Sequence, residues 1–216
     1  MSKYKYALFD WDGCLADTLS NSRRICSELA AENGIQFTAE IFKQVVGDWE
    51  KGALAAGFTN TAEFVARYNK LMAEGINLVG LNPNAAKALK DLSELGIIIG
   101  VVTSSSKQII SKQAESQGVL QYISHVVGLE DVVNTKPDPE PVHKLMELLG
   151  ATGNPASALL IGDTEKDIIA ASRAGVDSVW YAPQANTEIY GQMDFENHQP
   201  TYTIADFSEL LRLFKS

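Results

Sequence analysis

Two aspartates, Asp10 and Asp12, stand two residues apart at the end of a short apolar run, Tyr6 to Phe9, with Gly13 directly after them. In an extended segment residues i and i+2 point the same way, so both carboxylates face one site. Gly13 allows the backbone to turn tightly there. Two close carboxylates repel each other unless a hard divalent cation, or a proton on one of them, offsets the repulsion. On its own, the pattern fits a reaction site and an acidic turn that caps the next helix about equally well. Partners elsewhere in the chain have to decide.

Three such partners follow. Thr103 ends a second apolar run, in Val101-Val102-Thr103-Ser104-Ser105-Ser106. Its hydroxyl can donate to a phosphate oxygen, the backbone N–H groups from Ser104 onward can join it, and the helix after Lys107 turns its positive end to the same place. A serine run is also an ordinary N-cap. Lys136 lies in Asn134-Thr135-Lys136-Pro137-Asp138-Pro139, where two prolines stiffen the loop. A lysine held there can bind a phosphate and offset carboxylates, although an isolated lysine is usually a solvated one. Asp163 closes Leu159-Leu160-Ile161-Gly162-Asp163, and Asp167 follows four residues on, so the two share one helical face. Asp163 or Thr164 can equally cap that helix. Each ordinary alternative holds singly. All four together, each after an apolar run or before a helix, point to one site.

The elements that must position these residues are legible as two periods. Apolar runs at Tyr6–Phe9, 97–102, 158–161 and 176–181, the last interrupted by the polar pair Asp177-Ser178, suit strands buried on both faces of a parallel sheet; His125–Val127 and Tyr202–Ile204 are weaker candidates. Helical spacing falls at 84–95, 107–117, 140–149 and 166–174, each stopped by a glycine: Gly96, Gly118, Gly150 and Gly175. Strand, helix, glycine, strand describes an α/β fold with a doubly wound parallel sheet. Residues 19–81 break that rhythm. They carry helical signals at 22–33, 39–46 and 62–74, punctuated by Gly47, Gly52, Gly57 and Gly80, and no buried strand. The expected organisation is a core of 1–18 and 82–216 with a small all-helical cap of 19–81 inserted after the first strand.

The 216 residues suffice for one sizeable core plus a small insert. A formal net charge of -9 disfavours non-specific nucleic-acid binding, while one bound cation can still invert the local field for an acidic small substrate. The N-terminus lacks the long apolar region of a signal peptide, and no apolar run approaches the ~20 residues of a membrane span. Cys14 and Cys26, the only two cysteines, make no disulfide framework and no CxxC metal spacing. A cytoplasmic protein with reduced thiols is expected.

The chain resembles the haloacid dehalogenase-like (HAD) superfamily, in its subfamily with a small helical cap. Phe-Asp-Trp-Asp-Gly-Cys-Leu-Ala-Asp-Thr at 9–18 is similar to the first motif, Thr103 to the second, Lys136 to the third, and Gly162-Asp163-Thr164-Glu165-Lys166-Asp167 to the fourth. In style the chain looks like the phosphoglycolate phosphatase-like and β-phosphoglucomutase-like enzymes. The resemblance implies a Mg²⁺-dependent phosphatase of a small phosphorylated metabolite, working as a monomer or homodimer. It implies that Asp10 is the nucleophile and forms an aspartyl-phosphate, and that Asp12 is the acid and then the base. It implies that Thr103, Ser104, Lys136 and the Gly13 turn bind the phosphoryl group, and that Asp10, Asp12 through its backbone carbonyl, Asp163 and Asp167 surround the metal. Two departures stand out: Cys14 replaces the usual Thr, losing a strong donor in the turn, and Trp11 replaces a smaller residue.

Family dehalogenases lack the second aspartate, which is present here. A phosphomutase of the β-phosphoglucomutase type shares every core motif and differs by basic cap residues; Lys43, Lys51, Arg67 and Lys70 are scattered rather than clustered. A signalling receiver domain, which is a binding switch, keeps its acidic pair and phosphorylated aspartate on separate strands, unlike Asp10 and Asp12. A non-catalytic phospho-acceptor of the same fold is opposed by the complete motif set.

Overall fold

A computed structural model describes residues 3–47, 49–75, 79–190, 193 and 195–215. Among these, the apolar runs form six parallel strands: β1 Tyr6–Phe9, β2 Ile98–Val102, β3 His125–Val127, β4 Ala158–Gly162, β5 Asp177–Tyr181 and β6 Tyr202–Ile204. Their order across the sheet is β3-β2-β1-β4-β5-β6. The chain starts in the middle, moves outward on one side, then crosses to the other, which is the doubly wound arrangement the apolar runs predict. Register aligns Phe9 with Val101 on one side and with Ile161 on the other. Asp10, Thr103 and Asp163 follow these three neighbouring strands directly, so the register alone sets them side by side.

The helices of this layer are α5 Ala85–Glu94, α6 Lys107–Ser116, α7 Glu140–Leu148 and α8 Glu165–Arg173. Gly96 and Gly118, read as helix stops, take φ of 77° and 69°, the left-handed conformation that ends a helix without a Cβ clash. Leu8, Val102, Val127, Val142, Leu145 and Leu160 fill one core of this layer and are fully buried. Burying each aliphatic side chain contributes roughly 1.5–3 kcal/mol, enough to hold the strand ends fixed while polar groups crowd there.

The chain divides into two compact units: Met1–Asp17, Gly80–Gln184 and Met193–Ser216 form one, and Thr18–Val79 with Ala185–Gln192 form the other. The second unit is built from α1 Thr18–Glu32, α2 Ala39–Gly47, α3 Trp49–Ala55 and α4 Thr61–Glu74. Its core gathers Ile25, Leu29, Phe42, Val45, Phe58, Phe64 and Tyr68. Asn60 caps α4 by accepting from the Glu63 N–H at 3.1 Å. Two features differ from the sequence expectation. Gly52 lies inside α3 rather than between elements, because a Cβ there would meet the Gln44 carbonyl oxygen of α2 at 2.0 Å. A further helix, α9 Gln184–Tyr190, sends Ile189 onto the core of this unit from far along the sequence. Among the described residues, no helix is long and apolar enough to cross a membrane.

Candidate active site

Asp10 leaves β1 while its N–H still donates to Ile161 of β4 at 2.8 Å, so its direction is set by the sheet. The chain then turns. Gly13, at φ 79°, donates to the Ala16 carbonyl, and Ala16 donates back to the Trp11 carbonyl at 2.9 Å. Asn82 pins this loop by donating from Nδ2 to the carbonyls of Cys14, at 2.6 Å, and Gly13, at 3.2 Å. Cys14 keeps a weak donor in place of a hydroxyl, its Sγ lying 3.6 Å from the Ile161 carbonyl oxygen, and burial first of all pushes its thiol pKa well up. Trp11 is a fully buried side chain whose indole N–H donates to Gln113 of α6 at 2.8 Å.

Three carboxylates converge. Among the described residues, Asp10, Asp163 and Asp167 offer oxygens that all lie within 4.8 Å of one another. They are 6%, 0% and 1% exposed. Asp167 reaches the group from the first turn of α8, where its Oδ2 accepts from the Thr164 hydroxyl at 2.7 Å and the Thr164 N–H at 3.1 Å. That position needs Gly162: a Cβ there would come within 2.3 Å of the Asp167 carboxyl carbon. The Asp163 backbone is held from the other side, its carbonyl accepting from the Trp180 indole N–H at 3.1 Å.

Lys136 enters this acidic group from the loop before α7. Its Nζ donates to Asp10 Oδ1 and to Asp167 Oδ1, each at 2.5 Å, and to the Val102 carbonyl at 3.2 Å. Burial works against its charge, but the two carboxylates outweigh burial and raise its pKa above the ordinary lysine value. The Asp10 carboxyl also shifts upward, which for a carboxylic acid favours the neutral form. Burial, opposed by Lys136 and reinforced by Asp167 and Asp12, pushes it up to about 7. The loop carrying Lys136 is clamped by Glu140, which accepts from the Val133 and Asn134 N–H groups at 2.8 and 2.9 Å.

Asp12 joins a second group rather than the carboxylate trio. Its Oδ2 accepts from Ser105 Oγ at 2.7 Å and Thr103 Oγ1 at 3.3 Å. Thr103 is buried at the end of β2. Ser104, between the two, is exposed. The positive end of α6 is met by a protein carboxylate: the Lys107 N–H donates to both oxygens of Glu130, at 3.1 and 3.2 Å. Ser105, Asn82 and Glu130 were not singled out from the sequence. For Ser105 a signal existed, since it stands two residues from Thr103 as Asp12 does from Asp10.

The sequence pattern of one family, described as haloacid dehalogenase-like hydrolase, matches residues 7–181, most of the chain. The chain belongs to that family. Among its relatives is a phosphoglycolate phosphatase of Yersinia pseudotuberculosis serotype I (strain IP32953), 28% identical over 220 residues that cover 94% of this chain and 90% of that one. Another is the pyrophosphatase PpaX of Oceanobacillus iheyensis, 26% identical over 213 residues, with 95% and 94% covered. Among solved structures, the orthorhombic form of YfnB from Bacillus subtilis, bound to magnesium, superposes at a TM-score of 0.77 with 20% identity, covering 99% of this chain and 100% of that one. The parallel sheet of the haloacid dehalogenase-like fold is therefore common to both chains.

The donor set of this family member fits a hard divalent cation. Three buried carboxylates within 4.8 Å supply only oxygens, and one lysine offsets only part of their charge.

Proposed function

We propose that this haloacid dehalogenase-like hydrolase is a Mg²⁺-dependent phosphatase that cleaves a small phosphorylated metabolite through an aspartyl-phosphate on Asp10. The observation that carries the proposal is the buried convergence of Asp10, Asp163, Asp167 and Lys136 beside a separately held Asp12. Phosphoryl transfer needs in-line positioning and charge neutralisation above all. In this reading Asp10 attacks phosphorus. Asp12 lies two residues on, in different surroundings, and gives its proton to the departing oxygen; it then takes a proton from the water that hydrolyses the intermediate. Two close carboxylates whose environments differ are how one site holds a base and an acid together. Thr103 and Lys136 bind the oxygens of the transferring group. Asp10, Asp163, Asp167 and the Asp12 backbone carbonyl would hold the Mg²⁺, which supplies charge neutralisation when bound. The helical unit serves as the cap that selects the substrate.

Phosphate release is the test, measured with and without Mg²⁺ on phosphoglycolate, pyrophosphate, hexose phosphates and nucleotides. The named relatives, a phosphoglycolate phosphatase and a pyrophosphatase, put the first two compounds at the head of that panel. Asp10→Asn is expected to abolish turnover, and retained turnover sinks the mechanism. An isomerised sugar phosphate without released phosphate would move the assignment to a phosphomutase.

A further inference from the structure

The hydroxyl of Ser105 takes no part in the roles proposed so far, yet it donates to Asp12 Oδ2 at 2.7 Å, closer than Thr103 at 3.3 Å. The Ser105 N–H also donates to Thr103 Oγ1 at 3.0 Å, which ties the two residues into one turn after β2. A threonine hydroxyl has a single proton to give. When a phosphoryl oxygen claims that proton, Thr103 can no longer donate to Asp12, while the Ser105 hydroxyl still can.

We propose that Ser105 is a positioning residue that aims Asp12 at the departing ester oxygen. The proposal rests on the reading of Asp10 as nucleophile and Asp12 as acid. In a carboxylic acid, the oxygen that accepts a hydrogen bond is the carbonyl-like one, so a Ser105 hydroxyl on Oδ2 assigns the proton to Oδ1. As the Asp10 oxygen bonds to phosphorus and the ester P–O bond breaks, the Oδ1 proton passes to the ester oxygen and the product leaves as a neutral alcohol. Without Ser105, Oδ2 loses this donor, and fewer encounters place that proton correctly.

Acid assistance matters most when the leaving group is poor, which gives the test its discriminating power. The value of kcat/KM, which reports the step up to loss of the leaving group, is measured on p-nitrophenyl phosphate and on the best alkyl phosphate of the panel. Ser105→Ala is expected to lose about tenfold on the alkyl ester and less than about twofold on p-nitrophenyl phosphate, a fraction of the ~100-fold or more that general acids supply. Ser105→Cys, which keeps the size and loses the strong donor, is expected to show the same pattern. Ser105→Thr is expected to restore the alkyl activity. Equal losses on the two esters, no loss in Ser105→Ala, or failure of Ser105→Thr to restore activity overturns the proposal. Asp12→Asn separates the layers: if it shows no leaving-group dependence, the acid role of Asp12 fails, and the Ser105 proposal fails with it for that distinct reason.

Discussion

Gly162→Ala adds a single methyl group to the last residue of β4 and is expected to disable the carboxylate cluster. Its φ lies outside the left-handed region, so the backbone tolerates alanine and the effect comes from contact alone. The added carbon would lie 2.3 Å from Asp167 Cγ and 2.4 Å from its Cβ. Ordinary carbon contacts are about 3.5 Å, so the Asp167 side chain has to retreat by about 1.2 Å. Its bonds to Lys136 Nζ at 2.5 Å and Thr164 Oγ1 at 2.7 Å then stretch past hydrogen-bonding range. Breaking a buried ion pair costs about 3–5 kcal/mol. With a urea slope of about 2 kcal/mol/M, the unfolding midpoint falls by about 1.5–2.5 M in excess EDTA. Mg²⁺ affinity, read by calorimetry, is expected to drop by about 10–100-fold, as when groups that orient metal ligands are lost. A midpoint within about 0.3 M of the parent, together with unchanged Mg²⁺ affinity, would show that Asp167 yields without cost, and the case for Gly162 as an enforced close approach would fail.

Three further outcomes follow from the buried charges. Asp10, pushed up to about 7 from 3.8, must shed its proton before it can hold a cation, so Mg²⁺ affinity should rise about tenfold per pH unit below 7 and level off above it. Titration calorimetry between pH 5.5 and 8.5 checks this, and a flat profile contradicts it. In the metal-free protein the same upward shift stabilises the fold at low pH, and that contribution is lost as pH rises from about 4 through about 7. Lys136→Met removes the cation that holds Asp10 down and sits between Asp10 and Asp167. The variant is expected to lose about 3–5 kcal/mol at pH 8 and less at pH 5.5, where Asp10 is protonated; urea unfolding at both values in EDTA decides, and equal losses count against the coupling.

The strands and the ends they present were legible because burial on both faces leaves a mark in composition: Ile98–Val102 and Ala158–Gly162 are strands for the reason that nothing polar interrupts them before their last residues. α3 and α9 were not legible. Each is seven residues long, too short to establish a period, and α3 carries Gly52, which reads as punctuation until the α2 backbone beside it is known. Within the site, residue type and spacing brought out the groups that bear charge. The groups that aim them, such as Asn82 on the carbonyls of Gly13 and Cys14, depend on contacts 68 or more residues apart, which no local pattern encodes. The serine run shows the boundary between the two cases. Ser104 and Ser105 are alike as letters, and only the turn after Thr103 decides that Ser105 meets Asp12 while Ser104 faces outward.

The same distinction explains why the site takes the form of two groups. If Asp12 shared the Lys136 pocket, it would meet the same cation and burial as Asp10, and neither carboxyl would have reason to hold a proton while the other did not. Sequence adjacency forces the two within one turn, yet Gly13 and the Asn82 clamp bend the chain so that Asp12 answers to the hydroxyls of Thr103 and Ser105 while Asp10 answers to Lys136. Hydroxyls donate to a carboxyl in either protonation state, whereas the Lys136 ammonium opposes the burial that pushes Asp10 up. In the proposed mechanism, the division of labour between nucleophile and acid comes from which neighbours a two-residue step reaches. That places the chemical asymmetry in the loop after β1 and in the turn after β2, and gives the buried strands beneath them the task of keeping those two short segments in register.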